Sequence, residues 1–335
     1  MKQLAYRVLH CLASGAFQSG EGLAQALGIS RGSVWNAVRE LEQAGLEIYR
    51  VRGRGYRLQQ PVSLLDPAEV ERLLGARSRH YSIEVVASAD STNTLALERA
   101  RAHAPSGKLI AAEWQTNGRG RLGRAWHADV AGALTFSLVW RFSQGAAFLS
   151  GLSLAVGVAL VRAVKKAGVA DAKLKWPNDL AWRGRKLAGI LIEMQGDALG
   201  PTCAVIGIGV NVRLSKAVRR HIDQAAADLE SACGRTVDRN ALLAAILREL
   251  APVLETFERQ GFAPLRAAWQ RHHAWQGREV TVRLPDGRKE SGVAHGVDDE
   301  GALLVAVPGG TRRYHSGEVS LRLRPRAGRR ASVAA

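Results

Sequence analysis

The sequence predicts an α+β, multidomain protein, and three observations lead there. At 335 residues the chain exceeds one ordinary core, and with 47% apolar residues it has the material for more than one. The hydrophobic spacing changes along it: helical in 4–44, mixed in 82–270, and short alternating runs separated by turns from 277 onward. In the middle section strands and helices do not alternate strictly, which favours a mixed sheet over a doubly wound one. The expected division is a small helical unit with a hairpin (1–60), a linker (61–74), a central domain (75–272), a small β-barrel (273–324) and a basic, disordered tail (325–335).

Residues 5–13 have helical spacing, and 21–27 form a second short helix closed by Gly28. Ser30 caps a third helix over 31–44, with Val34, Val38 and Leu41 on one face and Gly45 as its stop. Two short strands, 47–51 and 55–58, are joined by Arg52, Gly53 and Arg54. This arrangement resembles a winged helix-turn-helix DNA-binding domain. The resemblance makes 31–44 the reading helix, with Ser30, Arg31, Ser33, Asn36 and Arg39 on or near its exposed face. Arg50, Arg52, Arg54 and Arg57 of the wing would meet phosphates. A small helical domain for protein contacts is the alternative.

Residues 61–66 read as a linker with an apolar patch, and 67–75 as a short helix. In the central section 85–87, 109–114, 134–140, 174–176, 185–193 and 204–212 are strand-like. Residues 95–104, 151–167 and 238–270 are helical, the last with Leu242, Leu243, Ile246 and Leu250 as its stripe. Beyond 277, strands at 280–284, 292–297, 302–306, 311–314 and 319–322 alternate with Gly-containing turns, the basis for expecting a barrel.

The net charge of +17 and pI of about 10.7 point to an anionic partner, although broad arginine enrichment also follows genome composition. Cys11, Cys203 and Cys233 are far apart and form no CxxC pair, which argues against a zinc site or disulfide framework. The start shows no signal-peptide pattern, and the longest apolar run, 149–164, is interrupted by Arg162. A cytoplasmic protein without membrane partners is expected.

Four segments carry candidate chemistry. Asp90, Ser91, Thr92 and Asn93 place small hydrogen-bonding groups at a strand end. Gln115 precedes a loop, Gly118 to Trp126, in which three glycines alternate with three arginines: close backbone approach beside rigid cationic forks. Lys175 ends a strand before Trp176, Pro177, Asn178 and Asp179, where a lysine is costly unless it meets an anion. Gly207 and Gly209 permit close approach to a strand that leads to Asn211. Lys186 and Gly189 form a weaker fifth element. Ser/His/Asp, HExxH and GxxxxGK[ST] patterns are absent from the sequence, and the GxGxxG at Gly118–Gly123 has the wrong flanks for a dinucleotide fold. Cations and backbone donors without a nucleophile suit chemistry in which the substrates react and the protein stabilises charge.

In the order GRGRxGRxW, KWPND, KLAGILxE and GIGxNV, these motifs make the chain resemble the bifunctional biotin–protein ligases that double as biotin operon repressors, over nearly its full length. The resemblance implies a class II synthetase-like biotin/lipoate ligase domain and an SH3-like C-terminal barrel. It implies attack of the biotin carboxylate on ATP, with Mg2+, to give biotinyl-5′-adenylate. Transfer to a lysine of a biotin carboxyl carrier protein follows. It further implies operator DNA as partner and a ligand-promoted homodimer. Carried over by position, Lys175, Arg119 and Arg121 are catalytic. Ser91, Thr92, Asn93, Gln115, Gly118, Arg119, Arg121, Lys175 and Gly189 bind biotin. Arg119, Arg121, Arg124, Trp126, Lys175, Asn178, Asn211, Glu318 and Arg322 bind ATP or adenylate, and Asp179 touches magnesium or the incoming lysine. Leu122 departs from the arginine that some regulatory members carry there, which bears on how the loop orders. A lipoate or other acyl-adenylate ligase, and a non-catalytic metabolite-sensing repressor, are the rival readings.

Overall fold

The computed structural model describes residues 1–196, 200–284, 286–315 and 320–323. Three helices, Gln3–Leu12, Gly20–Leu27 and Arg31–Gln43, precede an antiparallel hairpin of Ile48–Val51 and Gly55–Leu58. Ser19 and Ser30 cap the second and third helices by accepting from Gly22 and Ser33 N–H, and Gly28 closes the second at φ 66°. Val8, Leu9, Leu23, Val34, Val38 and Leu41 form this unit's core, and Val130 of the central domain joins it.

The segment 61–74 is less of a linker than its sequence suggests. Its helix, Pro67–Leu74, buries Val70 and Leu74 in the central core. The chain before it is pinned by a buried ion pair: Arg239 bonds Glu113, and Glu113 accepts the Leu65 N–H at 2.6 Å.

The central sheet has seven strands in the order Ser82–Val86, Lys108–Ala112, Ala133–Phe142, Thr202–Asn211, Arg185–Gly196, Asp179–Trp182 and Lys173–Lys175. The first pair is parallel, joined through the helix Thr92–Arg101; the others are antiparallel. One face is covered by helices Leu152–Lys166 and Arg239–Gln260, which pack on Phe136, Leu138, Ile190, Ile206 and Ile208. On the other face the helix Thr92–Arg101 sets Ala96 and Ala100 against Ile110, Val139 and Val205, covering only part of it. The remainder is where small residues cluster.

The C-terminal section corrects an expectation. Its five strands run in the order Gly310–Tyr314, Leu303–Val307, Lys289–Val297, Glu279–Arg283 and Ser320–Leu323, antiparallel throughout, and the two outer strands do not pair with each other. It is an open sheet, not a closed SH3-like barrel. Short alternating strands with tight turns read alike in both architectures, because closure depends on whether the two outer strands of the sheet pair, and spacing and turns do not reveal that. The tail 325–335 lies outside the described residues. None of the described helices is long and apolar enough to cross a membrane.

Candidate active site

Register builds the site. Across five strands, Thr135, Gly209, Gly189, Asp179 and Lys175 stand directly opposite one another in one row. The neighbouring row holds Ser137, Gly207 and Leu191. Because side chains alternate faces along a strand, all of these lie on the partly uncovered face. The glycines leave bare backbone in mid-sheet, and a Cβ on Gly207 would come within 2.1 Å of Asn93 Oδ1.

Two cavities open on this face. The smaller, about 50 Å3, is lined by Ser91, Thr92, Asn93, Gln115, Arg119, Thr135, Gly189, Gly207 and Gly209 among others. The larger, about 390 Å3, includes Arg124, Lys175, Asn178, Asp179, Asn211 and Arg322. Gly120, Arg121, Trp126, Asn178 and Lys186 line both. A compact pocket walled largely by small polar residues and glycines thus adjoins a larger one, with Arg121 and Lys186 at the join.

A hydrogen-bonded network orders the small cavity. Gln115 Oε1 accepts from Thr92 N–H at 2.7 Å and from its hydroxyl at 3.0 Å. Ser137 Oγ lies 2.8 Å from Thr92 Oγ1 and 2.6 Å from Asn93 Oδ1. Asn93 Nδ2 donates to Glu193 at 2.7 Å. Gln115 Nε2 sits so near Gly118 that a Cβ there would come within 2.9 Å of it.

The arginine–glycine loop is a small hairpin: Gly118–Arg119 pairs with Ala125–Trp126. At its tip Leu122 (φ 57°) and Gly123 (φ 71°) are both left-handed, and Arg124 N–H donates to Arg121 O. Only glycine takes that geometry without strain, so Leu122, 59% exposed, is held there at some cost. Arg119 donates to Glu193 at 3.0 Å and lines the small cavity, but not the larger one beside Lys175. Arg121 reaches Asn178 Oδ1 at 3.4 Å, and burial lowers its pKa against the opposing pull of Asp179. The Trp126 indole lies over the glycine row, so that a Cβ on Gly209 would stand 2.7 Å from it.

Asp179 holds two lysines. Lys186 Nζ lies 2.6 Å from Oδ1 and Lys175 Nζ 3.6 Å from Oδ2. Burial lowers the Lys175 pKa; Asp179 opposes the shift, and Arg322 and Lys186 add to it. Asn178 Nδ2 donates to Ile190 O at 2.7 Å, and Asn211 Nδ2 to Ala227 O at 3.0 Å, so both amides also brace the walls. Arg322 lines the larger cavity, whereas Glu318 lies outside the described residues. No group of three or more His, Cys, Asp or Glu that would cage a metal occurs among the described residues. Asp179 and Asp223 are the carboxylates that line the larger cavity, and Asp179 already faces Lys175 and Lys186.

Several site groups escaped the sequence reading. Ser137 and Thr135 come from a strand read as structural, and Glu193, the last residue of KLAGILxE, was given no role of its own. His127 and His221, with ring centroids 5.9 Å apart, and Asp223 line the larger cavity from segments given no role.

In the N-terminal unit, Ser30 Oγ accepts from Ser33 N–H and meets Ser33 Oγ, each at 3.0 Å. Ser30 therefore caps the third helix, and its hydroxyl also meets that of Ser33. Arg31, Asn36 and Arg39 are exposed, and Arg39 lies 4.9 Å from the ring of Trp35, an exposed residue the sequence reading passed over. In the wing, Arg50 pairs with Glu42, Arg54 and Arg57 stack on Phe17, and Arg52 is exposed.

Family models match three stretches: HTH domain over 5–57, Biotin/lipoate A/B protein ligase family over 85–211, and Biotin protein ligase C terminal domain over 277–322. The chain is 36% identical over 316 residues to the bifunctional ligase/repressor BirA of Escherichia coli (strain K12), covering 94% of this chain and 96% of that protein. Its identity to the bifunctional ligase/repressor BirA of Bacillus spizizenii is 33% over 312 residues, covering 92% and 95%. The solved biotin protein ligase from Aquifex aeolicus in complex with biotin and ATP matches with a TM-score of 0.62 at 28% identity, over 72% of this chain and 99% of that one.

Proposed function

The chain belongs to the family of bifunctional biotin–protein ligases and biotin operon repressors, and from that premise we propose how its own residues divide the work. It is an ATP- and biotin-dependent ligase coupled to a DNA-binding repressor domain. The biotin carboxylate displaces pyrophosphate from the ATP α-phosphate, giving biotinyl-5′-adenylate. The ε-amine of an acceptor lysine then attacks the mixed anhydride, losing a proton and releasing AMP.

The observation that carries the residue assignment is the shared wall of the two cavities. The small one takes the biotin ring, against Ser91, Thr92, Asn93, Gln115 and Gly189, with bare backbone as its floor, and Gly118 supports it from beside Gln115. The larger takes the nucleotide, with Arg124, Trp126, Asn178, Asn211 and Arg322 around it. The join between them is where carboxylate meets α-phosphate. Arg121 and Lys186 stand at that join, and with Lys175 in the larger cavity they stabilise charge that moves onto the bridging and phosphoryl oxygens. Arg119, tied to Glu193, orders the biotin side. A magnesium ion carried by the ATP phosphates would screen their charge, with Asp223 and Asp179 as the carboxylates of that cavity.

The acceptor is a biotin carboxyl carrier protein in the cytoplasm. The reading helix, with Arg31, Asn36 and Arg39, faces an operator as part of a ligand-promoted homodimer. Purified protein with ATP, Mg2+, a biotin carboxyl carrier domain and either biotin or lipoate tests the ligase assignment. Biotin-dependent pyrophosphate release with a mass gain on the carrier is the expected result. Reaction with lipoate alone would make this an acyl ligase of another specificity, and no reaction would leave a metabolite-sensing repressor.

A further inference from the structure

We propose that Trp275, in the segment joining the central and C-terminal domains, is a positioning residue that holds the Lys175 ammonium over the nucleotide cavity. The inference rests on the role given to Lys175 above. The strand Lys173–Lys175 is the outer strand of the central sheet, with Asp179–Trp182 on one side. An edge strand alone is a poor mount for a charge that must be placed accurately.

Its free side is taken by the joining segment. Leu174 N–H donates to His272 O at 2.7 Å, and Ala274 N–H donates to Leu174 O at 2.8 Å, a parallel bridge centred on His273. The next residue is Trp275, whose ring centroid lies 5.1 Å from Lys175 Nζ. One residue past the lysine, the buried Trp176 indole donates to Gly301 O at 3.1 Å, in a turn of the C-terminal sheet. That turn is seated against the start of the helix Leu152–Lys166, where Ser150 Oγ donates to Glu300 O. The lysine is thus flanked by two ties to the segment and sheet that follow the central domain, with an aromatic face between them.

The ring does what a carboxylate alone does not. Asp179 faces Lys175 from its own hairpin, Lys186 from the adjoining long strand, and Arg322 from the C-terminal sheet. In the joining segment, His272 and His273 are both pushed towards the neutral form, chiefly by burial. Two cations and one carboxylate leave the ammonium short of favourable partners, and an aromatic face supplies attraction without competing for phosphate oxygens.

The test compares full-length wild type, Trp275→Phe and Trp275→Leu in biotin-dependent pyrophosphate exchange, each in Lys175 and Lys175→Ala backgrounds, with thermal melts as a check on folding. Trp275→Leu is expected to lower kcat roughly threefold to thirtyfold with the biotin KM little changed. Trp275→Phe should restore most of that kcat, and in Lys175→Ala the leucine should cost nothing further. No rescue by phenylalanine, a loss carried in the biotin KM, or an equal loss in both backgrounds would overturn the proposal. A wild-type protein that fails to exchange would instead overturn the ligase reading beneath it.

Discussion

Gly189 lies directly opposite Gly209 on the adjacent antiparallel strand, so two bare stretches of backbone meet in mid-sheet beneath Trp126. Gly207, two residues along and on the same face, is tighter still against Asn93. Gly207→Ala should therefore push Asn93 into the small cavity. Overpacking of this kind costs about 1–3 kcal/mol, which converts to a biotin KM raised roughly fivefold to 150-fold. Steady-state kinetics should show the ATP KM nearly unchanged. Equal rises in both constants would mean that the two cavities do not divide the substrates.

That glycine pair was half legible in the sequence. Gly207 and Gly209, set in an apolar run, announced close approach to a strand, and Lys175 announced an anion. Their alignment in one row was not legible, because register across five strands is set by pairings distant in sequence. Ser137 was hidden for the same reason: it is an ordinary strand residue until Asn93 arrives from a separate helix. Glu193 closes the KLAGILxE motif, but its bond to Asn93 depends on the same long-range pairing. Trp275 carried no reading, because its place beside Lys175 arises only where the chain doubles back beside Leu174. The hairpin and the third helix of the N-terminal unit were legible because Ser30 and Gly28 act within a few residues of themselves, whereas the Ser19 cap emerged only in the structure.

Lys175 carries a stability cost with a definite sign. Burial lowers its folded-state pKa, so between that value and the unfolded one the unfolded chain binds more protons. Over that window stability contributed by this group rises with pH, and below the folded value the whole cost is present. Lys175→Met removes the cost, and Asp179 keeps Lys186 as its partner. The variant should melt higher than wild type at pH 7, with the difference shrinking towards pH 10, while adenylation falls about a hundredfold or more. A lower melting temperature at pH 7 would show that Lys175 stabilises the fold.

The Glu113–Arg239 pair makes a third prediction. Both side chains are almost fully buried, and they tie the segment before Pro67 to the strand end that continues to Gln115. Arg239→Ala strands a buried carboxylate and should destabilise the protein by about 3–5 kcal/mol in urea unfolding. Glu113→Gln combined with Arg239→Met keeps an acceptor for Leu65 N–H without the charge and should recover most of that loss. Limited proteolysis should cut the single variant first within 61–66. If the double variant is no better than the single one, the damage comes from lost packing and not from the unpaired charge.

In the wing, two arginines that look equivalent in the sequence are predicted to differ. Arg50 is paired with Glu42, so a phosphate must compete with a carboxylate already in place. Arg52 stands exposed in the turn between the wing strands, and no carboxylate among the described residues pairs with it. Each phosphate neutralised by a free cation adds about 0.9 to the slope of log affinity against log salt. Arg52→Ala should therefore lower that slope by about one unit on a duplex of random sequence, where base readout plays no part, and Arg50→Ala should lower it by clearly less. Anisotropy titrations between 50 and 200 mM salt measure both. Equal changes would mean that Glu42 releases Arg50 on binding; no change in either would move the phosphate contacts off the wing.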